Sequence, residues 1–344
     1  RTESKRGNLD FHSFGLDLNN IYIKAEYDSA VGFEDGMISF KLNSNPVVLE
    51  LSEKQTNKGL TSFISKDKIR FQDLLPQKLQ SDIKGISDAK LELNISTFQR
   101  GLKYIESPSI DLYSNLKGTE IKISDPFLKP ASEIIDLQIS FSPFYKDNKS
   151  QVKFSYGDLL RGKLHFYEKN IEGFLIAGKE KQSISVESGI VSLIGNIEKL
   201  DYALFNNLDP RFNDSPINFQ VKRLTVEELN FSNYIFKDNL ITSSYKDDLF
   251  ELHILNNELG GKISIPLMEE DTIAIDLNFI NINNIDNNNG SRSAFLNLYN
   301  ELSFEMIFRT KSIVYNSRDY GSWSFTLTKD DQSLIIDNLM GVYG

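Results

Sequence analysis

The sequence predicts an all-β chain, an antiparallel meander with one apolar and one polar face, broken by two short helices. Three observations carry this. Apolar and polar residues alternate in short runs along most of the chain, and a period of two is the signature of a strand with one dry and one wet face. Brief Gly, Asn, Asp and Pro punctuation separates the runs, which is the chemistry of tight hairpin turns. No strand–helix–strand rhythm of the kind that joins parallel strands is visible.

The elements follow in order. Leu16–Ala25, Met37–Leu42 and Val47–Leu51 are the first strands, punctuated by Gly32, Gly36 and Asn45-Pro46; Ile38, Phe40 and Leu42 share one face. Phe71–Lys84 breaks the rhythm, and Leu74, Leu75 and Leu79 with Pro76 near the start suit a short helix or turn. Leu91–Ile95 returns to strand. The stretch Ser107–Ala131 then holds two short alternating segments, Ile110–Tyr113 and Thr119–Ser124. They turn at Lys117-Gly118 and close on Asp125-Pro126 and Lys129-Pro130.

Ile135–Phe141 alternates strictly, and Val152–Tyr156, Lys163–Tyr167, Ile171–Ala177, Ser183–Val186 and Ile190–Ile194 continue the series. Ile197–Leu208 is the second predicted helix, because Leu200, Ala203, Leu204 and Leu208 fall on one helical face before Asp209-Pro210. Downstream the alternation is clearest. Ile217, Phe219 and Val221 come first, then Leu224 and Val226, and then Leu229 and Phe231. Phe250, Leu252 and Ile254 follow; Ile263, Ile265 and Leu267 come after Gly260-Gly261; Ile273, Ile275, Leu277 and Phe279 complete the run. After an Asn-rich loop, 281–292, strands at Leu302–Phe308, Ser312–Tyr315, Trp323–Leu327 and Leu334–Ile336 end the chain. The whole reads as one continuous sheet region over residues 1–344, with a sub-boundary near 209–216.

Composition narrows the function. A hydrophobic fraction of 40% and a charged fraction of 25% are those of a folded chain. A net charge of −10 opposes nucleic acid or an anionic membrane surface as main partner. With no cysteine, disulfides, thiolate nucleophiles and zinc–thiolate sites are excluded. No apolar run is long enough to span a bilayer as a helix. The chain opens on Arg1 and stops just after an apolar segment, so it is expected to be a fragment of a longer protein whose anchor lies elsewhere.

Catalytic chemistry is not legible. His12, His165 and His253 each stand alone, without a second ligand at metal spacing. Phosphate-binding glycine loops and the Gly-x-Ser-x-Gly elbow are absent. Asn284–Ser291 superficially suggests a calcium loop, but its glycine comes one place late and Phe295 stands where Glu is needed. Acidic pairs such as Asp247-Asp248 and Glu269-Glu270 read as solvated turns. The expectation is no enzyme, no metal and no cofactor.

Several motifs resemble a known family. Leu112, Ser114, Leu116 and Gly118 form a Leu-x-Ser-x-Leu-x-Gly strand, followed by Ile121, Ile123, Pro126, Leu128 and Lys129 in an apolar strand and turn. Gly189–Gly195 precedes Leu200-Asp-Tyr-Ala-Leu-Phe205; Val226-Glu-Glu-Leu229-Asn-Phe231 precedes Asn257–Pro266; Asp319–Trp323 enters a late strand. Their order resembles the YhdP branch of the AsmA-like envelope proteins, more distantly TamB. Ser124-Asp125 departs from the branch, which usually has Leu-Pro there.

The resemblance implies an elongated, curled sheet forming an open hydrophobic groove. It further implies a periplasmic segment of an inner-membrane-anchored, bridge-like protein carrying phospholipid between the inner and outer membranes. Its partners would be phospholipid acyl chains and, through regions outside this chain, both membranes. The groove residues would be Ile217, Phe219, Val221, Phe231, Phe250, Leu252, Ile254, Ile263, Ile265, Ile273, Ile275, Leu277 and Phe279. From the residues alone, a pair of packed β-sandwiches acting as a surface module stays open beside it.

Overall fold

Alternation becomes sheet over most of the described residues in the computed structural model. It describes residues 2–11, 16–28, 32–42, 45–52, 60–74, 80–96, 108–143, 149–167, 170–180, 184–201, 218–231, 234–246, 249–266, 272–281, 305–329 and 334–343. The chain packs as two units, Arg1–Ile123 with Phe127–Lys169, and Ser124–Pro126 with Asn170–Gly344. The sub-boundary expected near 209–216 lies outside the described residues.

The first unit contains β1 (Thr2–Phe11), β2 (Leu16–Asp28), β3 (Gly32–Leu42), β4 (Asn45–Leu51), β5 (Leu60–Ile69), β6 (Ile83–Gly85), β7 (Ser87–Ser96), β8 (Ser109–Ser114), β9 (Thr119–Ile121), β10 (Leu137–Ser142), β11 (Ser150–Tyr156) and β12 (Leu160–Tyr167). Its main sheet is an antiparallel meander in the order β1-β2-β3-β4-β5-β7-β8-β10-β11-β12. The sequence reading placed no strand over β1 or β5. β6 and β9 leave the meander and pair with each other as a separate two-stranded ribbon.

That departure has a local cause in the Lys117-Gly118 turn. Leu116 and Gly118 both adopt positive φ, at 50° and 95°. A Cβ on Gly118 would meet the Ile86 carbonyl oxygen at 2.4 Å, so only glycine fits there. The chain reverses, β9 crosses back beside β6, and the backbone of Ile121 bonds that of Lys129 in both directions, at 2.8 and 2.9 Å.

The second unit contains β13 (Asn170–Ala177), β14 (Ile190–Asp201), β15 (Asn218–Phe231), β16 (Tyr234–Lys246), β17 (Leu249–Leu255), β18 (Leu259–Pro266), β19 (Ile273–Asn281), β20 (Met306–Thr310), β21 (Ile313–Tyr315), β22 (Arg318–Asp319), β23 (Ser322–Lys329) and β24 (Leu334–Val342). β15 to β19 form an antiparallel run. β13–β14, β14–β15 and β19–β20 are parallel, so the expected purely antiparallel meander is corrected to a mixed sheet. β24 pairs with β23 and leaves Ile336, Leu339, Met340 and Val342 exposed.

Two further expectations are corrected. The helix predicted from Ile197 is strand as far as Asp201, and residues 202–208 lie outside the described residues. The parallel ladder with β15 runs on to Asp201, and Leu200, 2% exposed, sits opposite Leu229, so ladder pairing overrides a helical spacing set by few residues. Over Phe71–Lys84, read as a short helix or turn, the chain makes a 3₁₀ turn at Phe71–Leu74, has α-helical backbone at Gln80 and enters β6 at Ile83, with 75–79 outside the described residues. Likewise 184–186 form no strand. Among the described residues the fold is all-β, with α-helical backbone only at Gln80.

Candidate functional site

Residues directly opposite each other on neighbouring strands point to the same face, so the registers sort side chains. In the second unit one rung runs Ser243–Leu252–Ile263–Ile275–Phe308–Phe325. The rung on one side runs Ile241–Ile254–Gly261–Leu277–Thr310–Trp323. The rung on the other includes Tyr245, Phe250 and Ile265, with Ile273, Met306 and Leu327 beyond. Ring contacts agree: Tyr245 and Phe250 centroids are 5.1 Å apart, and Phe308 stacks on Phe325 at 4.8 Å. Three rungs make a band about 14 Å wide between its outer rows, at about 6.8 Å per two residues.

The band continues onto β15 through the Leu224–Ile241 pair. Phe219 lies opposite Val191 and Val221 opposite Leu193; past a bulge, Leu224 and Val226 stay on the same side. Here it is closed over: Val221, Leu224, Val226 and Ile241 are all buried. From β17 to β19 it is half-exposed, and Phe250, Leu252, Ile254, Ile263, Ile265, Ile273, Ile275 and Leu277 all fall between buried and exposed.

The opposite face is charged. Lys262 Nζ lies 2.5 Å from Glu251 Oε1, and its ammonium is held above the ordinary lysine range chiefly by that hydrogen bond. Arg309 Nη1 lies 2.9 Å from Asp276 Oδ1, and Lys311 donates to Asn278 at 2.9 Å. The His253 ring lies on the same face, its Nε2 3.9 Å from Glu251 Oε2. Such solvated pairs stabilise little. Their consequence is to fix which face is wet.

Not every expected groove residue joins the band. Ile217 lies outside the described residues, as does the side chain of Phe231. Phe279 changes sides: the pairs Gly261–Leu277 and Gly260–Phe279 leave Asn278 as an extra residue on β19. A Cβ on Gly260 would meet the Phe279 ring at 2.6 Å and Leu255 at 3.1 Å, so Phe279 packs over glycine on the face away from Leu277.

Sequence reasoning missed the polar members of the band. Ser243, 4% exposed, accepts a hydrogen bond from the Val221 amide at 2.7 Å, serving β15 where the backbone ladder is absent. Asn239, fully buried, donates to the carbonyls of Val226 (3.2 Å) and Phe236 (2.8 Å). It also accepts from Asn256 at 2.6 Å, and Asn256 caps the amides of Glu258 and Leu259. These polar residues break the alternation of β16, which is why no strand was read there. The only signal available was their setting between apolar neighbours.

The first unit repeats the design. Phe63–Leu93–Ile110–Phe141–Val152–Leu164 form one rung, and Ser65–Leu91–Leu112–Ile139–Phe154–Gly162 the next. Its polar face carries Lys66, Lys90, Tyr113 and Gln138 around an open depression of about 460 Å³. There Lys90 pairs with Glu92 at 2.5 Å, and burial raises the Tyr113 phenol above its ordinary value. Among the described residues no group of acidic, His or Cys side chains is placed to hold a metal ion.

What this arrangement can do is solvate apolar matter along a strip while its back faces water. Residues 2–341 match the family model described as YhdP protein. No curated protein and no solved structure matches the chain. Because the match spans nearly the whole chain, the chain belongs to the YhdP family.

Proposed function

We propose that the apolar bands hold phospholipid acyl chains, and that the chain is a non-catalytic segment of a bridge-like protein. That protein would be anchored in the inner membrane and carry phospholipid across the periplasm to the outer membrane. The observation that carries the reading is the half-exposed band from β17 to β19, backed by an ion-paired face and lacking a second layer among the described residues. A continuous apolar surface of that kind marks a ligand or partner site. Family membership agrees with lipid as the ligand.

Energetics favour sliding over capture. At about 0.8 kcal/mol per buried methylene, six methylenes on the band contribute about 5 kcal/mol. No directional contact fixes the chain, because Leu252, Ile263, Ile275 and their neighbours offer only dispersion and desolvation. Head groups stay in water. The test is purification of the intact protein in mild detergent followed by native mass spectrometry. Co-purifying phospholipid of mixed head group is expected, and a lipid-free protein would contradict the reading.

A further inference from the structure

Resting on that lipid reading, we propose that the β6–β9 ribbon is a fixed wall along one margin of the apolar band in the first unit, with Lys129 as its positioning residue. Beyond the two rungs already described, the same face carries a third, Ala89–Ser114–Leu137–Tyr156–Leu160. This rung is covered at Ala89 and Tyr156, both buried, while Ser114, Leu137 and Leu160 stay half-buried. Phe71, Ile83, Leu116 and Ile121 pack with Ala89 and Tyr156 in one cluster, and Leu137 packs against it. The Phe127 ring lies 6.3 Å from that of Tyr156.

A ribbon of three residues per strand does not hold together alone in water. It is pinned at three places. The Ser87 and Thr119 hydroxyls, both buried, lie 2.5 Å apart and tie β9 to β7. The Ile121 and Lys129 backbones bond each other. Lys129, 0% exposed, directs its ammonium to the carbonyls of Leu116 and Thr119, both at 2.8 Å, and of Pro130 at 3.2 Å. Three converging acceptors buried together need one multivalent donor, and an ammonium is the side chain that supplies three N–H groups from one atom. That burial lowers the Lys129 pKa, with Glu133 opposing the shift.

Acyl chains in this unit are therefore confined to the rungs of Phe141 and Phe154, and the buried Tyr156 never meets them. The test places a photo-crosslinking residue at Phe141, Phe154 or Tyr156 in the intact protein and reads phospholipid adducts, in wild type and in Lys129→Met. Expected are adducts at Phe141 and Phe154, none at Tyr156, and gain of the Tyr156 adduct in K129M. Should K129M fail to fold, Thr119→Val cuts the tie to Ser87 and should give the same gain. Equal labelling of Tyr156 and Phe141 in the wild type would overturn the wall. A silent Tyr156 in both variants would overturn the role of Lys129. No adduct at any of the three positions would overturn the lipid reading itself.

Discussion

Tyr156 is where one side chain reports most directly on packing. Its phenol oxygen is buried without a hydrogen-bond partner, and burial, with Glu133 nearby, pushes its pKa up to about 12. An unpaired buried hydroxyl is a cost, so Tyr156→Phe should stabilise the first unit by about 1 kcal/mol in chemical denaturation. The sign of the pH effect follows. The folded state holds this proton more tightly than the unfolded chain. Stability is therefore full below pH 10 and falls as pH rises from 10 toward 12, by about 2 kcal/mol. Y156F should remove that part of the alkaline loss. Lys129, whose pKa burial lowers, acts in the opposite sense and gains stability as pH rises toward 10.5. It is common to both proteins, so the difference between the two curves isolates Tyr156. A Y156F curve parallel to wild type above pH 10 would count against the burial argument.

At the scale of the element, a strand can lose its greasy face without losing its ladder. β17 and β18 are hydrogen-bonded on both edges, and their band residues are only half-buried. Leu252→Asp and Ile263→Asp should keep the circular-dichroism signature of the sheet yet abolish lipid co-purification, because a carboxylate in the band must be desolvated by any passing acyl chain. Glu251→Gln, on the wet face, should leave lipid binding unchanged. Retained lipid in both aspartate variants would exclude this stretch as the contact.

These strands are also where the sequence was most readable. Phe250–Ile254, Ile263–Ile265 and Ile273–Leu277 alternate cleanly, and the registers put them in adjoining rungs. Reading failed where a local device overrode the period. The extra residue Asn278 moved Phe279 to the other face. Buried Asn239 and Ser243 disguised β16. Parallel pairing of β14 with β15 as far as Asp201 turned a helix-like spacing at Leu200 into strand. Lys129 read as a turn residue, since nothing in a sequence shows three carbonyls converging on one ammonium.

For the molecule as a whole, both units follow one rule, an apolar band on one face and ion pairs on the other. Dispersion and desolvation are indifferent to head-group charge and weakly sensitive to salt. Zwitterionic and anionic phospholipids of equal chain length should therefore load within about a factor of three of each other, under about 0.7 kcal/mol. A net charge of −10 biases slightly against the anionic one at low salt. Competition loading from mixed vesicles, analysed by lipid mass spectrometry at two ionic strengths, checks this. Strong selection for one head group would mean that a polar site governs binding.

The central claim is that lipid meets one face and not the other. Photo-crosslinking residues placed one at a time at Ile254, Ile263 and Ile275, and at His253, Lys262 and Asp276, read it directly in the intact protein in its native envelope. Each pair sits at adjacent positions on the same strand, on opposite faces. The account predicts phospholipid adducts at the three isoleucine positions and none at the three polar ones. Equal capture from both sets, or capture from the polar set alone, would contradict it.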